Sequence, residues 1–146
     1  TYYTIQDPSV DDSALYLQVY ADSAWQESSQ PYNYMCAKLD GSYSNVSGAS
    51  QKGMLLGRSG RRFEGVVQFS NPTQTTGDKT FTGRSSSNNS NTGWSNAKSY
   101  MSIGQFDSSD AVTGIRLRSG HPSTSPASGG QNFTGGYYLL EGTAIS

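Results

Sequence analysis

Apolar residues in this chain recur at every second position and nowhere convincingly at every third or fourth. That spacing argues for strands and against helices. In Ala14-Leu15-Tyr16-Leu17-Gln18-Val19-Tyr20-Ala21, the aliphatic Leu15, Leu17 and Val19 alternate with Tyr16, Gln18 and Tyr20. Side chains along a strand point to opposite faces, so the aliphatic set marks a core face. The Tyr face is either a second buried face or an exposed contact surface. Val112-Thr113-Gly114-Ile115-Arg116-Leu117-Arg118 repeats the pattern, with Ile115 and Leu117 opposed to Arg116 and Arg118. Phe133 to Gly142 is aromatic and aliphatic, bracketed by glycines that suit turns or bulges. These two segments predict late strands of a sandwich, joined by a long Gly/Ser/Pro surface loop.

Further strand candidates run along the chain. Residues 1–5 are β-prone until Asp7-Pro8 breaks the run, because proline lacks an amide donor. Residues 1–10 therefore predict an N-terminal arm or an edge strand, and 11–146 one β-sandwich domain. Residues 23–31, with Trp25, predict a loop. Tyr32 to Leu39 predicts a strand closed by an Asp40-Gly41 turn, followed by a small polar loop over 43–52. Met54-Leu55-Leu56 is a short strand between Gly53 and Gly57. Arg62 to Phe69 and Asp78 to Arg84 predict two strands with a turn at 74–77, and Ser85 to Thr92 a polar, low-complexity surface loop. Tyr100 to Gly104 resumes strand character before a turn over 107–110. The expected fold is all-β: an antiparallel β-sandwich or jelly roll with long polar loops. No internal repeat suggests a solenoid or propeller.

Composition bounds the function. The 146 residues suit one domain, and 12% aromatic content argues against disorder despite a mean hydropathy of −0.62. A net charge of −1 makes no electrostatic case for nucleic acid. No apolar run nears the ~18 residues of a membrane helix, so no membrane partner is expected. Thr1 to Thr4 shows neither the basic segment nor the apolar core of a signal peptide.

Catalytic and metal chemistry finds little to work with. Cys36 is the one cysteine and His121 the one histidine, so neither an internal disulfide nor a Cys/His zinc cluster can form. Cys36 reads as a small buried hydrophobe. Asp11-Asp12 and Asp107/Asp110 are the nearest carboxylate pairs, but both lie in turn-like sequence, where Asp bonds its own backbone. The same residues could offer oxygen ligands to calcium, yet no calcium-loop pattern surrounds them. Asn45, Asn88 and Asn132 open glycosylation sequons that Ser/Asn-rich sequence produces by chance. No enzyme activity, cofactor or metal is expected. Arg58, Arg61 and Arg62 form a basic turn, either a solvated loop or a grip on carboxylates or phosphates. Trp25 and Trp94 could stack on sugar rings or anchor packing and protein contacts.

One family resemblance emerges. Phe63-x-Gly65 leads into Asn71-Pro72, then Lys79-Thr80-Phe81, a Ser/Asn/Gly loop and Val112 to Leu117. The chain closes with Asn132-Phe133-x-Gly135-Gly136 and Leu140-x-Gly142. From about Leu15 to Gly142 this order resembles the β-sandwich domains of tailed-phage virion proteins, whose last strand commonly finishes Leu-Tyr-Gly. Glu141 stands here in place of that Tyr, and should be exposed or paired. The resemblance implies a non-enzymatic virion component, often oligomeric. The size of the chain favours a capsid decoration (cement) protein on the outer shell, partnered by the major capsid protein and by its own copies as a dimer or trimer. Tyr2, Tyr3, Arg58, Arg61 and Arg62 are the expected contacts. The alternative is a receptor- or carbohydrate-binding domain of a phage fibre, with Trp25 and Trp94 as glycan contacts. A secreted lectin outside phage biology ranks third.

Overall fold

The structure, a computed structural model, describes residues 2–6, 13–26, 32–39, 44–51, 53–60, 62–88, 97–120, 135–139 and 141. In chain order the strands are β1 (Tyr2–Gln6), β2 (Ser13–Ala21), β3 (Ala24–Trp25), β4 (Tyr32–Leu39), β5 (Ser44–Gln51) and β6 (Met54–Gly60). They continue with β7 (Arg62–Phe69), β8 (Lys79–Asn88), β9 (Lys98–Phe106), β10 (Gly114–Gly120) and β11 (Gly135–Leu139). No helix occurs among the described residues. A seven-stranded sheet in the order β11-β1-β7-β8-β9-β4-β5 faces a four-stranded sheet built on β2. Every pairing is antiparallel. The expected all-β sandwich is therefore the fold.

The small sheet shows why β2 is so apolar. β10 pairs along one edge of β2 from Ala14 to Tyr20. The other edge is shared by β6 near Ser13–Leu17 and β3 at Tyr20–Ala21. Between these two short partners the Val19 amide has no strand to bond. The Tyr32 hydroxyl of the large sheet accepts its hydrogen at 2.8 Å. Leu15, Leu17, Val19 and Ala21 enter a core with Tyr32, Met54, Leu56, Phe63, Val67, Phe81 and Phe106. On the opposite face Ala14 and Tyr16 pack with Cys36, Leu55 and Tyr100, and Gln18 is fully buried. The Tyr face of β2 is thus a second buried face over most of its length. Each aliphatic side chain buried here contributes roughly 1.5–3 kcal/mol.

β6 lies against the inner face of the large sheet, in contact with β4, β8 and β9. Two serines of that face bond its backbone: Ser85 Oγ donates to the Leu56 carbonyl at 2.5 Å and Ser102 Oγ to the Leu55 carbonyl at 2.8 Å. So close an approach demands small residues. A Cβ at Gly83 would sit 3.3 Å from Leu56, and one at Gly57 would sit 3.1 Å from Ser85 Oγ.

Several expectations are corrected. β1 is neither a free arm nor an edge strand: it pairs with β7 on one side and β11 on the other, so Asp7-Pro8 ends a strand already inside the sheet. The polar stretch over 43–52 is not a loop but contains β5, an edge strand on β4, where backbone pairing needs no apolar side chains. Ser85 to Asn88 is not surface loop either. It extends β8 against β7 and β9, and Ser85, Ser87 and Asn88 are buried. Trp25 lies in a strand, because Asp22 and Ser23, with φ of 46° and 58°, form a two-residue hairpin turn from β2 into β3. Asp40-Gly41, 89–96 and 121–134 lie outside the described residues.

The tightest glycine is Gly104, paired with Phe81 across the β8–β9 ladder. A Cβ there would strike the Asn33 carbonyl oxygen and come within 2.5 Å of the Phe81 ring. Gly104→Ala is expected to destabilise the protein by about 1–3 kcal/mol, because an overfilled core must shift backbone or rotamers. A urea-denaturation midpoint unchanged by the substitution would disprove that close packing.

Candidate functional site

The outer face of the large sheet carries the described chain's main concentration of exposed apolar side chains. Alternation puts Tyr32, Cys36, Tyr100 and Phe106 inside and therefore Met35, Met101 and Ile103 outside. Register then brings the outer residues together: Met35 is opposite Ile103 and Ala37 opposite Met101. Met35, Leu39, Met101 and Ile103 are 48%, 49%, 46% and 56% exposed, while Ala37 between them is half-buried. Isolated exposed hydrophobics are ordinary, whereas a contiguous group on one sheet face is a candidate contact surface.

Polar neighbours border this group on β8 and β7. Thr82 is opposite Ile103, and Arg84 lies between Met101 on β9 and Val66 on β7. Thr82 and Arg84 are exposed and Val66 is half-buried. Glu64, on the same face, accepts a hydrogen bond from Ser86 Oγ at 2.9 Å. Asp78 accepts one from Gln105 Nε2 at 3.1 Å.

The described expected contact residues fall on three strands, β1, β6 and β7. Arg58 belongs to β6 of the small sheet and Arg62 opens β7 of the large one, so the basic turn expected over 57–62 is a crossing between sheets. The Gly57-Arg58-Ser59-Gly60 backbone continues β6 instead of looping out, with Gly60 opposite Ser13. Arg61 lies outside the described residues. Arg62 is exposed and on the same face as Glu64. Tyr2 is in register with Val66 and Leu139, and Tyr3 with Gly65 and Tyr138. Sequence reasoning passed over Met35, Met101, Ile103 and Arg84. The signal available was the aromatic parity of β4 and β9, which fixes the inner face.

Trp25 is held within the chain. The Arg116 guanidinium sits 4.3 Å from its ring centroid, and the Tyr20 ring meets it edge-on at 5.3 Å. Arg116 Nε also donates to Gln18 Oε1 at 2.7 Å. One face of the indole is therefore covered by a cation, which leaves less of it for a sugar ring. Trp94 lies outside the described residues.

Other polar and thiol side chains among the described residues make local contacts. Cys36 is buried in the second core cluster, as expected. Asp107 and Asp110 are exposed, and Asp110 closes a local turn in which its amide donates to Ser108 Oγ at 3.0 Å. The buried Lys79 joins that turn to the preceding one, donating from Nζ to the Ser108 carbonyl at 2.5 Å and to the Gly77 carbonyl at 3.3 Å. Among the described residues no group of three His, Cys, Asp or Glu side chains could hold a metal ion. Glu141 is exposed, as expected. His121, Asp11, Asp12 and Asn132 lie outside the described residues. No protein-family model, curated protein or solved structure matches the chain.

The Arg116–Trp25 contact is expected to contribute about 1–2 kcal/mol, the range for a partly desolvated cation–π pair. In a Trp94→Phe background Arg116→Ala should lower the unfolding midpoint and red-shift the fluorescence of Trp25. An unshifted emission maximum would mean the stacking is absent in solution.

Proposed function

We propose that this chain is a structural adhesion protein, a decoration subunit that docks onto the shell of a tailed-phage capsid and stabilises it. The observation that carries the reading is the exposed apolar group on the outer face of the large sheet, formed by Met35, Met101 and Ile103 with Leu39 beside it. The fold does not require those side chains there, since the inner face already supplies the core. Their removal from water favours association with another protein surface at about 25 cal/mol per Å² buried. A sheet held on both sides by neighbouring strands is a rigid platform, so little ordering entropy opposes docking. Many copies on one shell can each bind weakly and still act together. The phage context rests on the resemblance of the order of short motifs to phage virion sandwiches. A glycan-binding reading has less support, because Arg116 stacks on Trp25.

The test is co-sedimentation with phage shells that lack the protein. Saturable binding at a fixed ratio to the capsid protein is expected. Met101→Glu combined with Ile103→Glu should weaken it by tenfold or more, because burying two carboxylates without partners is costly. Full occupancy by the double variant would remove the sheet face from the contact, and no binding by the wild-type protein would sink the decoration reading.

A further inference from the structure

We propose that the outer face of the large sheet is a site of oxidative modification, where a hydroperoxide converts Met35 and Met101 to sulfoxides and turns an apolar surface polar. The chain has three methionines and one cysteine, and all four sulfur atoms belong to described residues. Strand parity sorts them. On β4, Met35 points out of the sandwich and its chain neighbour Cys36 points into it. On β9, Met101 points out between the buried Tyr100 and Ser102. Met54 sits in the main core, in register with Leu17. Nearly half of each outer methionine is exposed, against 1% of Met54 and 2% of Cys36.

That sorting decides which sulfur reacts. A thiol competes for peroxide only as an accessible thiolate, and Cys36 is closed into an apolar cluster. The outer thioethers meet the solvent directly. In the reaction a sulfur lone pair attacks one peroxide oxygen, and the S–O bond forms as the O–O bond breaks. The proton on the transferred oxygen passes to the leaving one, which departs as water or an alcohol. Sulfur is oxidised by two electrons and the peroxide is reduced by two. Met101 stands two places before Ile103, the residue opposite Met35, so the two methionines are diagonal neighbours. Such neighbours lie roughly 7–8 Å apart. Both sulfoxides therefore enter one patch, where each adds an oxygen that must shed water before an apolar surface can close over it. Neither core loses a contact. The change is reversible, because reductases specific for each sulfoxide epimer return the thioether. Its effect on docking rests on the adhesion reading above.

The experiment treats the folded chain with hydrogen peroxide and follows it by peptide mapping, hydrophobic-interaction chromatography and thermal unfolding. Met35 and Met101 should oxidise about tenfold or more faster than Met54, and Cys36 should remain a free thiol. Retention on the apolar resin should fall while the unfolding midpoint stays in place. Treatment with both sulfoxide reductases should restore retention. The double variant Met35→Leu with Met101→Leu should keep its retention through the peroxide treatment. Met54 or Cys36 reacting as fast as the outer methionines would overturn the inference, and so would retention unmoved by two sulfoxides. Phage shells lacking the protein test the consequence separately: the oxidised chain should bind them about tenfold more weakly than the untreated chain. Equal binding by the two would overturn oxidative control of docking and leave the adhesion reading standing. Failure of the untreated chain to bind would overturn the adhesion reading and its oxidative control together, while mapping and retention still decide the modification site.

Discussion

The hydroxyls of Ser85 and Ser102 bond the backbone of β6 across the space between the sheets, and much of the sandwich depends on that contact. Packed sheets usually stand about 10 Å apart, with side chains filling the gap. Here a strand lies against the inner face of its opposite sheet, so the side chains beneath it must be small. Gly83, Ser85 and Ser102 meet that condition. Buried carbonyls of β6 need donors, and serines supply them without the bulk of a larger polar group. Leu55 and Leu56 then fall into different core clusters, which couples the two faces of the small sheet to one tethered strand.

This arrangement explains which parts of the fold are legible in the sequence. β2, β4 and β7 carry aliphatic or aromatic alternation, and the structure has strands where that alternation places them. β5 and the far end of β8 carry none. Ser44–Gln51 is a strand because β4 offers it a backbone ladder, and Ser85–Asn88 because β7 and β9 do. A serine that bonds a buried carbonyl looks the same in sequence as one that bonds water. β1 is ambiguous for a related reason, since its place between β7 and β11 is set by partners 56 and more positions away in the chain. The Asp22-Ser23 turn is not marked in the sequence, because neither residue is the glycine that left-handed backbone favours.

The exposed apolar face is less legible in the sequence than the fold. In Tyr100-Met101-Ser102-Ile103-Gly104-Gln105-Phe106, hydropathy alone divides between two opposite assignments. Aliphatic burial would put Met101 and Ile103 inside, whereas aromatic burial puts Tyr100 and Phe106 inside. The aromatics prevail, since Tyr100 and Phe106 are buried and Met101 and Ile103 are exposed. The ladder enforces that choice on its neighbours: Phe81 covers Gly104, and Tyr32 stacks near Phe106 at 5.5 Å. A slip of one residue would exchange the faces and leave serines bonding water instead of β6. Exposure of the methionine and isoleucine side chains is thus tied to the tether of β6.

The arginines of the chain divide in the same way. Arg116 is fixed, its guanidinium stacked on Trp25 and its Nε bonded to the buried Gln18. Removing it would expose polar and aromatic surface within the chain, so its role is internal. Arg84 lies on the opposite sheet, beside apolar side chains and with no ligand among the described residues. Its charge is solvated. The basic sequence 57–62 carries its arginines on a crossing between sheets and not on one turn. What distinguishes the guanidiniums is their surroundings: Arg116 is held within the chain, and Arg84 stands exposed beside Val66 and Met101.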